Sequence, residues 1–327
     1  MTITTDGITK DMYRPFGRTG LMVSPLGFGG APVGMLGTER DEVGRVLNAL
    51  LDHGVNLIDT ASCYYGSEEM IGNTIADRRS EYILVSKCGH SKAGDESDDD
   101  FTPTVITSNV ERSLKRLNTD HLDVLLLHTC SLDVLKAGEA LGAAVKAREQ
   151  GKVRFVGYSG DNEAAAHAAT LDDIAIIQTS VSICDQVNIQ AVLPSTLQQN
   201  IGVMAKRPLA NAAWKTLDDQ YERYRGYAQP YHERFASMGL ALDSLDLDAC
   251  DDLDRTKPDS RLWAELALRF TLSIPGVHVA IVGTTSAENA LSNVRIATKG
   301  PLPKPVIASV QNAFQRADPD GAWVGLT

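Results

Sequence analysis

The chain has 327 residues, with 31 Lys and Arg against 42 Asp and Glu, for a formal net charge of −11. Two stretches hold the acidic excess, Asp95 to Asp100 and Asp243 to Asp254, and outside them the charges balance. A hydrophobic share of 43% is ordinary for a globular chain, and the acidic balance excludes a basic nucleic-acid footprint and a polybasic membrane patch.

No apolar run approaches the roughly 18–20 residues of a membrane span, and Met1 to Asp11 lacks the apolar centre of a secretory signal. Five Cys at scattered spacings suit free thiols better than a disulfide framework. These features predict a soluble cytoplasmic protein with a small-molecule partner, and neither nucleic acid nor membrane as a second one.

In chain order, residues 1–11 read as a flexible tail and 12–327 as a single domain. Tyr13 to Phe16 and Leu21 to Val23 flank Gly17 to Gly20 and predict a β-hairpin. Short apolar runs then recur: Leu26–Gly29, Leu57-Ile58, Ile83–Val85, Val124–Leu127, Phe155-Val156, Ile174–Ile177, Val203–Ala205 and Val279–Val282. Such continuous runs mark strands buried on both faces, as in a parallel sheet. Helical spacing fills the gaps at Glu42 to Leu51, Thr104 to Leu117 and Leu132 to Gln150. Alternating strands and helices without a dividing linker predict one closed (β/α)8 TIM barrel. A doubly wound open sheet would announce a G-x-G-x-x-G at its first strand, where Gly27-Phe28-Gly29-Gly30 stands instead. After strand seven, Asn211 to Ser260 forms a long loop with the second acidic run, read either as a solvated insertion or as a lid.

Single residues dispose of several chemistries. Asp161 stands where a nucleophile elbow around Ser159 needs Gly, and Ala236 where a zinc motif begun at His232 needs its second His. Cys63, Cys88 and Cys130 lie beside strand ends, and a metal-dependent enzyme built on them is the weakest reading.

Chemistry in such a barrel sits at the C-terminal ends of the strands. Those positions supply Asp59 with Tyr64 five residues on, then Lys87, then His128. An acid, a phenol, an ammonium and an imidazole on consecutive strand ends suit proton donation to a carbonyl oxygen. The ammonium should lower the phenol's pKa, the carboxylate should keep the ammonium charged, and the imidazole should orient the carbonyl. None of the four donates hydride, so a bound cofactor must, most simply a reduced nicotinamide.

The stretch Gly54-Val55-Asn56-Leu57-Ile58-Asp59-Thr60-Ala61, followed by Tyr64 and Gly66-Ser67-Glu68-Glu69, resembles the aldo-keto reductase family. Arg18–Leu21 with Leu26-Gly27, and Gly151–Arg154 with Gly157 and Ser159, extend the similarity from about Phe16 to Asn293. The resemblance implies an NAD(P)-dependent oxidoreductase acting on a carbonyl/alcohol pair, with NADP as the expected cofactor and NAD possible. Tyr64 would be the general acid, tuned by Asp59 and Lys87, with His128 orienting substrate. Tyr65 also precedes Gly66, but the five-residue spacing from Asp59 selects Tyr64. Gly29, Gly30, Ser159, Gln178, Lys206, Arg207, Leu209, Gly283, Thr284, Thr285, Ser286, Asn289 and Asn293 would line the cofactor.

The sequence departs from the family in two places. Gly160 stands for an Asn that would hold the carboxamide, so that bond is either lost or supplied elsewhere, as by Asp161 or Asn162, and Lys206-Arg207 replaces an aromatic-Ser pair. Lys206 is expected along the nicotinamide, with one of the two cations on a phosphate or an anionic substrate group. The alternative function is a non-catalytic nicotinamide-binding regulatory subunit of the same fold.

Overall fold

The computed structural model describes residues 7–92, 97 and 99–326. Asp95, Glu96 and Asp98 of the first acidic run, and 1–6 of the expected tail, lie outside the described residues. Gly7–Asp11 is not free. Ile8 is buried in the core and donates its N–H to the His53 carbonyl at 2.9 Å, so burial of one Ile pins this segment.

Strands β1 (Arg14–Pro15) and β2 (Met22–Val23) form the expected antiparallel hairpin. Eight parallel strands follow: β3 (Leu26–Gly29), β4 (Leu57–Asp59), β5 (Ile83–Cys88), β6 (Leu122–His128), β7 (Val153–Ser159), β8 (Ile174–Ser180), β9 (Gly202–Lys206) and β10 (Val279–Val282). β10 pairs with both β3 and β9, closing the barrel. The hairpin covers the N-terminal end. Phe16 is fully buried among Leu57, Val85, Leu126, Ile176 and Met204. Gly17 (φ +54°) lets its turn touch β9, because a Cβ there would lie 2.3 Å from the Gly202 nitrogen.

Amphipathic helices form the outer ring. Helix Arg40–Asp52 buries Val43, Val46, Leu47, Leu50 and Leu51, and helix Pro103–Leu117 starts on a Thr102 cap. The single helix expected over 132–150 is two, Leu132–Ala137 and Glu139–Glu149. Gly138 in the left-handed region (φ +79°) ends one and starts the other.

The segment after β9 is not a plain loop. It folds a helix at Glu222–Met238 and then short 3₁₀ turns. Within 243–254 every Asp is exposed, while Leu245, Leu247, Cys250 and Leu253 between them are buried. That alternation anchors a solvated acidic face on the barrel. Among the described residues, no helix is long and apolar enough to cross a membrane, and none of the five Cys is bridged.

Candidate active site

Period-two alternation decides which side chains reach the C-terminal mouth. Leu57, Val85, Leu126, Ile176 and Met204 fill the barrel interior. Two residues further along each strand, on the same inward face, come Asp59, Lys87, His128, Gln178 and Lys206. Ser159 follows Gly157 in the same way, and a Cβ on Gly157 would lie 2.4 Å from the Ile176 carbonyl oxygen.

Lys87 is the hub. Its Nζ donates to both Asp59 carboxylate oxygens and to the Thr60 carbonyl, each at 2.8 Å. Gln178 Nε2 donates to Asp59 Oδ1 at 3.0 Å, and Ser159 Oγ donates to Gln178 Oε1 at 2.9 Å. The ends of β4, β5, β7 and β8 thus share one hydrogen-bonded chain. The Tyr64 ring centre lies 4.9 Å from Lys87 Nζ, and its ring meets that of His128 edge-on at 5.7 Å. Tyr65 is 85% exposed, so the structure brings Tyr64 and not its neighbour to this cluster.

Burial pushes the Tyr64 phenol above its ordinary pKa, and the Lys87 charge opposes this without overcoming it. The expected lowering is therefore reversed. Lys87 is already paired with Asp59, and the phenol has lost its water. Burial disfavours the charge on Lys87, but Asp59 outweighs it and the Lys87 pKa is raised. His128 falls well below the usual imidazole value, chiefly by burial and then through the Lys87 charge, so it is neutral in the physiological range.

The two departures from the family have structural causes. A Cβ on Gly160 would lie 2.4 Å from Tyr158 Oη, whose hydroxyl donates to the Cys130 carbonyl at 2.9 Å, so no Asn fits there. Both neighbours already have protein partners. Asp161 Oδ1 accepts from Thr179 Oγ1, the Ser180 N–H and Asn188 Nδ2, and Asn162 exchanges hydrogen bonds with the Gly325 backbone. Lys206 Nζ pairs with Asp161 Oδ2 at 2.7 Å rather than extending freely along a ligand. It still lies close enough to act on the charges of Asp59 and His128. Arg207 differs more. Its guanidinium donates to the Leu326 carbonyl and sits 5.9 Å from the Tyr231 ring centre, so it serves the C-terminal segment. Leu209 packs between the two apolar clusters.

Gly29, Gly30 and Gly283 are places of close approach. A Cβ on Gly30 would be 2.7 Å from Ser67 Oγ, on Gly283 2.6 Å from Pro32, and on Gly29 3.0 Å from Ile281. Beyond β10, the Ser286 N–H donates to Thr284 Oγ1 at 3.1 Å. Ser286 Oγ accepts from the Asn289 N–H and so caps helix Ala287–Ala297. Thr285 is half-buried in this turn and Asn293 is buried on the helix behind it. Sequence reading missed Arg261. From helix Asp259–Ser273 it reaches Asn289 Oδ1 and Glu288 Oε1, each at 3.0 Å. Cys88 and Cys130 lie in the apolar core, with the Cys130 thiol pushed up to about 12 by burial, so they do not join Cys63 in a three-Cys site.

A parallel eight-stranded barrel with a Lys–Asp pair, a phenol and an imidazole at its C-terminal mouth defines a class of protein. Comparison with known proteins identifies it: the model of the Aldo/keto reductase family matches residues 25–314, and the chain belongs to that oxidoreductase family. It is 28% identical to L-galactose dehydrogenase of Arabidopsis thaliana, over 89% of this chain and 90% of that one. It is also 28% identical to a probable voltage-gated potassium channel subunit beta of Arabidopsis thaliana, over 90% and 94%. Among solved structures, an aldo-keto reductase from Klebsiella pneumoniae in complex with NADPH aligns with a TM-score of 0.69 at 26% identity, covering 92% of this chain and 94% of that one.

Proposed function

We propose that the chain catalyses reduction of an aldehyde or ketone to an alcohol, with NADPH, or secondarily NADH, as hydride source and Tyr64 as general acid. One observation carries the reading: Lys87 Nζ is held by both oxygens of Asp59 while facing the Tyr64 ring at 4.9 Å. A buried phenol kept protonated can release its proton only when negative charge develops on an oxygen beside it. The fixed Lys87 charge favours the phenolate that results. Neutral His128, edge-on to Tyr64, offers a ring N–H to the same carbonyl oxygen and fixes its approach.

The residues present fit a nicotinamide dinucleotide. Ser159 and Gln178 provide amide- and hydroxyl-bearing groups at the ends of β7 and β8 beside Asp59. The N-terminus of helix Ala287–Ala297, with Thr284, Thr285 and Ser286, provides donors for phosphate. Arg261, beside Asn289, adds the one kind of charge that distinguishes NADPH from NADH at that turn. Bound there, a reduced nicotinamide supplies the hydride. That the structurally similar Klebsiella pneumoniae protein is in complex with NADPH supports this choice.

The similarity to a potassium channel subunit beta favours a second reading, a nicotinamide-binding regulatory subunit without turnover. Steady loss of NADPH absorbance on adding a reactive aldehyde separates the two. Tyr64→Phe should lower kcat more than tenfold while leaving the Kd for NADPH within about twofold. A variant retaining a tenth or more of the wild-type kcat removes Tyr64 from the acid role. Absence of turnover with a broad carbonyl panel overturns the enzyme reading.

A further inference from the structure

Beside the Tyr64 ring lies a second constellation, which shares His128 with the proposed reductase site. Cys63 Sγ is 3.3 Å from His128 Nδ1, and the rings of His128 and His90 are 5.3 Å apart at 66°. One donor atom each from Cys63, His90 and His128 falls within 4.8 Å of the other two, and all three residues are half-buried, within reach of solvent. A tetrahedral zinc with bonds of about 2.0–2.3 Å holds its ligands roughly 3.5 Å apart. Cys63 and His128 already satisfy that spacing, and the His90 donor atom lies within 4.8 Å of both.

The surroundings prepare these side chains as ligands. His90 Nδ1 is bonded to Asp100 Oδ2 at 2.8 Å, which fixes the ring and leaves Nε2 as donor, the arrangement by which a carboxylate orients a zinc-bound imidazole. The Asp100 carboxylate is itself held by the Ser91 N–H and hydroxyl at 2.8 and 2.9 Å. Buried Asn109 ties the two contributing loops together. Its Oδ1 accepts from Ser62 Oγ and the Gly89 N–H, and its Nδ2 donates to the His90 carbonyl. Cys63 and His90 are thus set in register by one side chain of helix Pro103–Leu117. Asp59 pairs with the nearby Lys87 and offsets part of its charge.

We infer that Cys63, His90 and His128 form an inhibitory site for a thiophilic divalent cation, zinc being the best fit, that closes the reductase by taking His128 away from the carbonyl. Three protein ligands leave a fourth position for water or chloride. Binding releases the Cys63 thiol proton to solvent and involves no change in oxidation state. The binding stands on the geometry alone, whereas the inhibition rests on the reading of Tyr64 and His128 given above.

Cobalt(II) added to tag-free protein reads the binding without any turnover. A thiolate-to-cobalt charge-transfer band should appear with the intense visible bands of a tetrahedral ion, and equimolar zinc should abolish both. Cys63→Ser should remove the charge-transfer band, and His90→Gln and Asp100→Asn should each weaken metal binding about ten- to hundredfold. Zinc should then slow aldehyde reduction. Its half-inhibitory concentration, measured against each variant's own metal-free rate, should rise at least tenfold in His90→Gln. A charge-transfer band that survives in Cys63→Ser, or none at all in the wild type, overturns the site. A band that depends on Cys63 without loss of turnover overturns the inhibition. If no carbonyl is reduced in the absence of metal, the reductase reading fails while the cobalt titration still decides the site.

Discussion

Lys206→Met is the perturbation whose size the structure determines most directly. Lys206 Nζ and Asp161 Oδ2 are 2.7 Å apart, with side-chain exposures of 15% and 0%. At that distance and an effective dielectric of about 20, the attraction is roughly 6 kcal/mol, offset by desolvation of both charges. Removing the cation alone strands a buried carboxylate, which in such pairs costs about 3–5 kcal/mol. Thr179, Ser180 and Asn188 continue to donate to Asp161 Oδ1 in the variant, which puts the loss at the lower end, about 3 kcal/mol. For a chain of this size that corresponds to a fall in Tm of roughly 4 °C.

Asp161→Asn combined with Lys206→Met should recover part of the loss, giving a favourable coupling above about 1 kcal/mol in a double-mutant cycle by urea unfolding. The pH dependence has a definite sign. Burial raises the Asp161 pKa, but Lys206 and the hydrogen bonds outweigh it, so the carboxylate sits below its ordinary value. Its stabilisation is present above the unfolded-state pKa, near 4, and is lost as pH falls through the folded value. The deficit of Lys206→Met should therefore hold from neutral pH down to about 4 and shrink as pH falls further. A neutral-pH loss under 1 kcal/mol, or strict additivity in the cycle, refutes this account of the pair.

Two further outcomes are expected. Burial holds Asp185 up to about 7, with its Oδ1 lacking a hydrogen-bond partner and Arg234 3.7 Å away. Because the native state keeps this proton where the unfolded chain has lost it, stability should fall as pH rises from about 4 to about 7, by at most about 1.4 kcal/mol per unit; Asp185→Asn should flatten that slope in denaturant titrations. Arg261→Ala should raise the Kd for NADPH several-fold and leave that for NADH nearly unchanged, as read by fluorescence titration, and equal changes in both would remove Arg261 from the phosphate.

The parts of this molecule legible in its sequence are those written in short-range patterns. Each barrel strand is a local apolar run, and Asp59, Lys87 and His128 follow apolar residues at period two, so their convergence needs only the closed sheet. Tyr64 was separable from Tyr65 by spacing, and the fold turns Tyr65 out to solvent. What could not be read is where long side chains go when several partners compete. Lys206 meets Asp161, two residues past the end of β7, and Arg207 meets a carbonyl 119 residues away. The direction of the Tyr64 shift was also hidden, because residue types reveal the neighbouring charge but not how much water the phenol loses. Gly160 looked like a missing ligand, and only Tyr158 packed against it shows why nothing larger fits.

The C-terminal segment has a consequence for the order in which the mouth is assembled. The Leu326 N–H donates to Asp185, its carbonyl accepts from Ser180 and Arg207, and Gly325 clasps Asn162, across separations of 119 to 163 residues. During synthesis the ends of β7, β8 and β9 leave the ribosome well before these partners exist. The barrel itself closes when β10 arrives, but Asn162, Ser180, Asp185 and Arg207 gain these partners only with residues 325–326. Alterations at residues 325 and 326 therefore act on the rim of the site, since their bonds bind the loops around it into a single frame.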